Sequence, residues 1–296
     1  MSSDVHTLTV VTSSSPAARL RKRLFSVFAH VVLVGASIVM LYPLLWMLSA
    51  SFRPENEIFT SSSIWPSSIS WDAYVSGWNG LKVHFSTFFL NSFIISGLSI
   101  VGNLITCSLA AFAFARLEFW GRPFWFAMML GTLMLPYQVT LIPQYVLFHQ
   151  LGWINTFLPL VVPKFLAADA FFIFLMVQFF RGLPKELDEA AMMDGCSPWR
   201  IYWKVLLPLS MPVLVTAAIF TFIWTWDDFF GPLIYLSDMR TYTVQLGLRT
   251  FVDSTAESNW GGLFAMSILT LVPVFLFFLF FQRLLIEGIA TTGMKR

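Results

Sequence analysis

Charge is what this chain has least of. Acids and bases make up 11% of its 296 residues, against about a quarter in an ordinary soluble domain. Hydrophobic types make up 57%, with 32 Phe and 12 Trp. One globule in water could not hide that much apolar surface, so lipid is the expected solvent. Cysteine is nearly absent. Cys107 sits in an apolar run and Cys196 in a charged one, which excludes a disulfide framework and a cysteine metal site. No glycine is followed by lysine, so no phosphate-cradling Gly-x-x-x-x-Gly-Lys loop is present. His-Glu-x-x-His and Gly-x-Ser-x-Gly are also missing, and the four histidines are scattered. These absences argue against an enzyme and against any metal site. The net charge of +2 gives no reason to expect nucleic acid as a partner.

Long apolar runs are what is there. A membrane-crossing helix needs about 20 such residues. Six runs qualify, at 24–49, 87–115, 124–143, 157–180, 209–234 and 263–286. The first follows a Ser/Thr-rich segment and "RLRKR". It is too long for a secretory leader and reads as a retained span. Thirteen of the 18 Lys and Arg fall at the two termini, in the second-to-third link and in the fourth-to-fifth link; four fall on the other side. The positive-inside rule therefore puts both termini in the cytoplasm. The expected fold is an all-α integral membrane protein with six transmembrane helices. Residues 1–23 read as a flexible tail, 24–286 as the membrane domain, and 287–296 as a cytoplasmic tail. External loops are expected at 50–86 and 236–262.

Inside the second span Ser99, Asn103, Cys107, Ala111 and Ala115 recur every four residues. Small residues on one face let helices approach closely. A second reading has Asn91 or Asn103 lining a polar passage. Prolines interrupt the third and fourth spans, and the freed carbonyls need protein or water. Charges within spans are costly and often functional. Lys164 and Asp169 are five residues apart, about 140° around a helix, so a continuous span would not pair them. Asp227 and Asp228 lie beside Trp224 and Trp226, a combination that suits a carbohydrate: a ring stacks on its C–H face and a carboxylate accepts hydroxyl protons. The plain alternative is that these acids lie in water at the end of the span.

The link at residues 182–208 is the polar exception, "ELDEAAMMDGCSPWRIYWKVLLP". Glu186, Asp188 and Glu189 suit the positive start of a short helix. Gly195 suits its left-handed end. Ser197 suits the cap of a second helix, with Pro198 at its first position. The acids argue against a loop that merely lies on lipid phosphates, and the small alanines fit a protein cleft.

Glu189, Ala190, Ala191, Gly195, Leu207 and Pro208 stand at the spacing Glu-Ala-Ala, three residues, Gly, nine residues, Ile, one residue, Leu-Pro. Val205 takes the Ile place. In this the chain resembles the permease subunits of ATP-binding-cassette importers. "WTWDDFFGPLIYL" and "FFQRLLIEGIATTGMKR" resemble the MalG-like sugar branch, although Asp227 and Asp228 stand where Asn followed by an acid or Asn is usual. The resemblance covers nearly all of the chain from residue 24. It implies the type I importer permease fold, in a bacterial or archaeal cytoplasmic membrane. It implies a second permease subunit, two copies of an ATPase and an extracytoplasmic sugar-binding protein as partners. ATP and magnesium would be held by the ATPase, and this chain would carry no cofactor or catalytic residue. The helix with Glu189, Ala190, Ala191 and Asp194 would be a coupling helix in an ATPase groove. The C-terminal residues 291–296 would also touch the ATPases. Asn91, Asn103, Asp169, Trp226, Asp227 and Asp228 are the pathway candidates. The rival readings are an ion-coupled secondary sugar carrier, which would use Asp169 or Asp227 and need no ATPase, and a membrane scaffold.

Overall fold

The computed structural model describes residues 16–60, 63–252 and 259–293, with side chains described from 23 to 282 within those ranges. Its helices, in chain order, are α1 (Pro16–Ala50), α2 (Asp72–Asn79), α3 (Phe85–Arg116), α4 (Arg122–Thr132), α5 (Tyr137–Gln150), α6 (Leu158–Val161), α7 (Ala170–Gly182), α8 (Glu186–Met193), α9 (Pro198–Ile201), α10 (Leu207–Leu209), α11 (Met211–Trp226), α12 (Phe230–Tyr235), α13 (Val244–Arg249) and α14 (Trp260–Gly293). No strand occurs among the described residues. Four helical stretches are long and apolar enough to span a bilayer: Arg23–Ala50, Phe85–Arg116, Leu158–Gly182 and Trp260–Gln282. Two bent pairs, α4 with α5 at 98° and the 198–209 run with α11 at 76°, bring the number to six if each is one span.

The bends have local causes. Pro136 precedes α5, where a residue ahead of proline is driven out of the helical region. The third run therefore does not cross straight through 124–143; it turns and continues past Pro143 to Gln150. Tyr202–Leu206 winds as a π-helix, and the helix then breaks at Ser210 before Pro212 starts α11. Helix α1 begins at Pro16, and α14 runs unbroken past 286 to Gly293. The segments 50–86 and 236–262 carry short helices, α2 and α13, which pack against α14 and α3.

Helix α3 is the centre of the bundle, with α7 and α11 against it. Its stripe of Ser92, Ser96, Ser99, Asn103, Cys107, Ala111 and Ala115 is buried throughout, so the helix-packing reading of that repeat holds. Close approach is the reason. A Cβ added at Gly102 would come within 2.7 Å of the Phe165 ring and 3.0 Å of the Lys164 carbonyl carbon. One core cluster joins α3, α7, α9 and α11 around Phe172, Met176, Phe180 and Tyr202. A second joins α3, α11, α13 and α14 around Phe85, Phe88, Trp226 and Met266. Helix α1 instead exposes apolar side chains around its whole circumference, the pattern of a helix whose solvent is lipid or another chain.

Candidate coupling surface and translocation path

The hairpin forms where the local residues require it. Three acids fill the first turn of α8, where the helix dipole favours negative charge. The helix ends at Asp194, and Gly195 takes φ +77°. The Gly195 N–H donates to Met192 O at 2.9 Å and the Cys196 N–H to Ala191 O at 2.9 Å. These two bonds are a Schellman motif, which needs the left-handed residue. Ser197 Oγ accepts the Arg200 N–H at 3.4 Å and so caps α9, with Pro198 in its first turn.

The two alanines of the motif point opposite ways. Ala191 is buried in the first core cluster, while Ala190 and Glu189 are exposed. Met193 is 89% exposed, and Met192 and Leu187 are also open. The outer side of α8 is thus an acidic and apolar ridge with no cover from the described residues of this chain. Asp194 is exposed beside it. Leu207 instead packs against the core cluster and Pro208 lies in the run that leads into α11, so this pair shapes the span and lies off the ridge.

Beneath the ridge lies a pair that sequence reasoning missed. Arg116 Nε, at the end of α3, is 2.9 Å from Asp188 Oδ2; the side chains are 5% and 13% exposed. By distance this is an ion pair, but Arg116 Nε and Asp188 Oδ1 make no hydrogen bond, so the two groups are close without being well aligned. The Arg116 Nη2 group donates to Leu183 O at 3.0 Å. Burial pushes the Asp188 carboxyl above the usual carboxylate range; Arg116 pulls it down, Glu189 pushes it up and Lys185 pulls it down. A cavity of about 400 Å³ opens between the end of α3 and the hairpin, lined by Arg116, Arg122, Arg181, Lys185, Asp188 and Glu189.

Within the membrane domain the structure corrects one expectation outright. Lys164 and Asp169 do pair, Nζ to Oδ2 at 2.8 Å. The angle of a continuous helix does not apply, because the span is broken between them. Val162–Leu166 is a 3-10 turn, and Ala167 follows at φ +52°. Helix α3 satisfies the break. Thr106 Oγ1 lies 3.0 Å from Lys164 O and accepts the Ala167 N–H at 3.2 Å. The Asn103 amide donates to Asp169 Oδ2 at 2.6 Å and reaches Thr221 Oγ1 at 3.2 Å. An interrupted helix at membrane depth is stable only when its freed groups are met in this way.

The other pathway candidates separate. The Asn91 amide donates to Arg240 O at 2.8 Å and Tyr242 O at 2.9 Å, fastening the loop ahead of α13. Trp226 is 1% exposed and its indole N–H donates to Thr270 O at 3.2 Å, so its ring is part of the core and no face is open. Asp227 Oδ1 accepts from Gln245 Nε2 at 3.3 Å. Asp228 Oδ1 accepts the Gly231 N–H at 3.1 Å. Asp228 also lines a cavity of about 80 Å³ with Lys164, Trp224, Thr225 and Thr243. Trp224, half exposed beside Phe171 and Phe172, is the aromatic residue that reaches this cavity. The sequence signal for it was the same Trp-x-Trp-Asp-Asp run; only the packing shows which ring turns outward.

A helical membrane domain with broken spans and an exposed, capped hairpin at one end is the class of a multi-pass membrane protein. Comparison with known proteins is more specific. Residues 102–290 match the family described as "Binding-protein-dependent transport system inner membrane component". The chain is 36% identical over 259 residues to the probable ABC transporter permease protein YurM of Bacillus subtilis, covering 87% of this chain and 85% of that one. It is 34% identical over 260 residues to the arabinooligosaccharides transport system permease protein AraQ of Halalkalibacterium halodurans, covering 87% and 92%. It is 32% identical over 268 residues to the trehalose/maltose transport system permease protein MalG of Thermococcus litoralis, covering 89% and 96%. Its fold is shared with a chain in the crystal structure of a bacterial ABC transporter involved in the import of the acidic polysaccharide alginate, at a TM-score of 0.80 and 24% identity, covering 91% of this chain and 98% of that one. This protein belongs to the family of inner-membrane permease components of binding-protein-dependent ABC transporters.

Proposed function

We propose that this subunit forms half of the path by which a carbohydrate enters the cell, and that it does no chemistry of its own. It pairs with a second permease. The ridge of α8 faces the cytoplasm and sits in a groove on one of two ATPase subunits, which hold the ATP and magnesium. Glu189 meets a basic side chain there. The loops at 50–86 and 236–262 face an external binding protein that delivers the sugar. Closure of the ATPases moves α8 and opens the path outward; hydrolysis resets it. Such driving requires the ATPase to bind the two states with different affinity.

One observation carries the coupling role: Glu189, Ala190 and Met193 stand exposed on a helix whose far end is fixed by the Gly195 turn. The excess of Lys and Arg at the same end supports the cytoplasmic side. The names of the relatives, which concern arabinooligosaccharides in one and trehalose and maltose in another, support a carbohydrate. The carboxylate, ammonium, hydroxyl and indole around the small cavity suit its hydroxyl groups. Lys164 and Asn103 already engage Asp169, which leaves it a poor free site for a coupling ion.

The test is uptake in vesicles carrying the whole transporter. Glu189→Lys is expected to insert normally, lose ATPase association and abolish uptake. Normal uptake by that variant refutes the coupling role. Sugar movement by this chain alone down an imposed ion gradient, without ATPase or ATP, refutes the permease reading in favour of a carrier.

A further inference from the structure

Helix α8 is eight residues long and buries only Ala191. So short a helix has little stability of its own, and one buried methyl group cannot hold it firmly to a bundle. Arg116 adds polar contacts to it. From one buried side chain they reach Asp188 in the first turn of α8 and Leu183 O in the link from α7. Arg116 is also the last residue of α3.

Helix α3 differs from the other spans. It runs 32 residues with no proline and no break, about 48 Å at helical rise. Helices α1 and α14 contain Pro43 and Pro273, and the remaining spans are interrupted. Along its length α3 holds the elements that shape the path. Asn91 and Ser92 bind the outer loop through Arg240 O, Tyr242 O and the Val244 N–H. Asn103 and Thr106 hold the break of the fourth span. One unbroken helix therefore joins the hairpin, the break and the outer loop.

We propose that Arg116 is the positioning residue that latches the coupling helix to α3, so that a displacement of α8 reaches the break at 162–169 and the outer loop as movement of one helix. This rests on α8 being the coupling helix. Arg116 is not part of the docking ridge; it decides how much of the ATPase stroke reaches the path.

The experiment uses the complete transporter in vesicles and measures ATPase retention on purification, ATP hydrolysis, and sugar taken up per ATP. In Arg116→Gln and in Asp188→Ala, retention and hydrolysis are expected to stay within about twofold while uptake per ATP falls at least about tenfold. The reversed pair, Arg116→Asp with Asp188→Arg, is expected to recover uptake per ATP to within about threefold of the original. Unchanged uptake per ATP in both single variants overturns the latch. So does a reversed pair no better than the singles, or an uptake loss fully matched by lost ATPase. Hydrogen exchange at residues 186–193 keeps the two readings apart, since it needs no ATPase. Arg116→Gln is expected to speed that exchange, whatever Glu189→Lys does to uptake; unchanged exchange overturns the latch alone.

Discussion

Substitution of Gly195 isolates the backbone requirement of the hairpin. The residue holds φ +77°, and an added Cβ would meet nothing within 4 Å. Gly195→Ala therefore creates no clash with neighbours. Its whole cost is that of placing an L-residue in the left-handed region, roughly 1–2 kcal/mol. That shifts the balance between formed and opened turn by a factor of about 5–30. The amides of residues 195 and 196 report it directly, because they donate to Met192 O and Ala191 O only while the turn is closed. Their hydrogen exchange is expected to quicken by that factor in Gly195→Ala and by more in Gly195→Val. Gly195→Asn should change it less, since Asn tolerates this region. Uptake should follow the same order. Gly182 is the control: it also has open space around it, but at no positive φ, so Gly182→Ala is expected to leave the hairpin unchanged. The reasoning fails if Gly195→Ala exchanges like the original, or if Asn is as damaging as Val.

Asp188 gives a pH dependence. Its carboxyl holds its proton more tightly when α8 is docked than when it is free, because burial outweighs the pull of Arg116 and Lys185, and Glu189 adds to the upward shift. Docking is then strongest below the ordinary carboxylate pKa, weakens as pH rises from there to the raised value, and is level above it. Protection of residues 186–193 measured across that window should fall with rising pH in the original and stay flat in Asp188→Asn; a rise would contradict the assignment. The Lys164–Asp169 pair is tested in detergent by thermal unfolding. Asp169→Leu leaves the Lys164 ammonium unpaired and should cost about 3 kcal/mol, the low end for a buried pair because both side chains are about a quarter exposed. Adding Lys164→Met should recover part of that loss, and a double variant worse than the single would show that no pair exists.

The hairpin was legible in detail because its instructions are local. The acids at 186–189, Gly195, Ser197 and Pro198 act on backbone within a few residues of themselves, and the turn and cap form as their chemistry requires. The small-residue stripe of α3 was equally plain, since a four-residue repeat describes a face before any partner is known. The fourth span was misread. A fixed angle per residue assumes an unbroken helix, and only the packing of Thr106 and Asn103 from α3 makes the break stable and turns Lys164 onto Asp169. Trp224 and Trp226 look alike in sequence, yet one faces a cavity and the other is sealed against Thr270.

The sequence by itself determined the solvent and the capped hairpin, since apolar run length and short-range backbone preference need no tertiary partner. The contacts of Arg116, with Asp188 in α8 and Leu183 ahead of it, were decided by the fold alone, as was the seating of the broken span against α3. These join residues dozens of positions apart, and a side chain's partner at that separation is set by where whole helices come to rest.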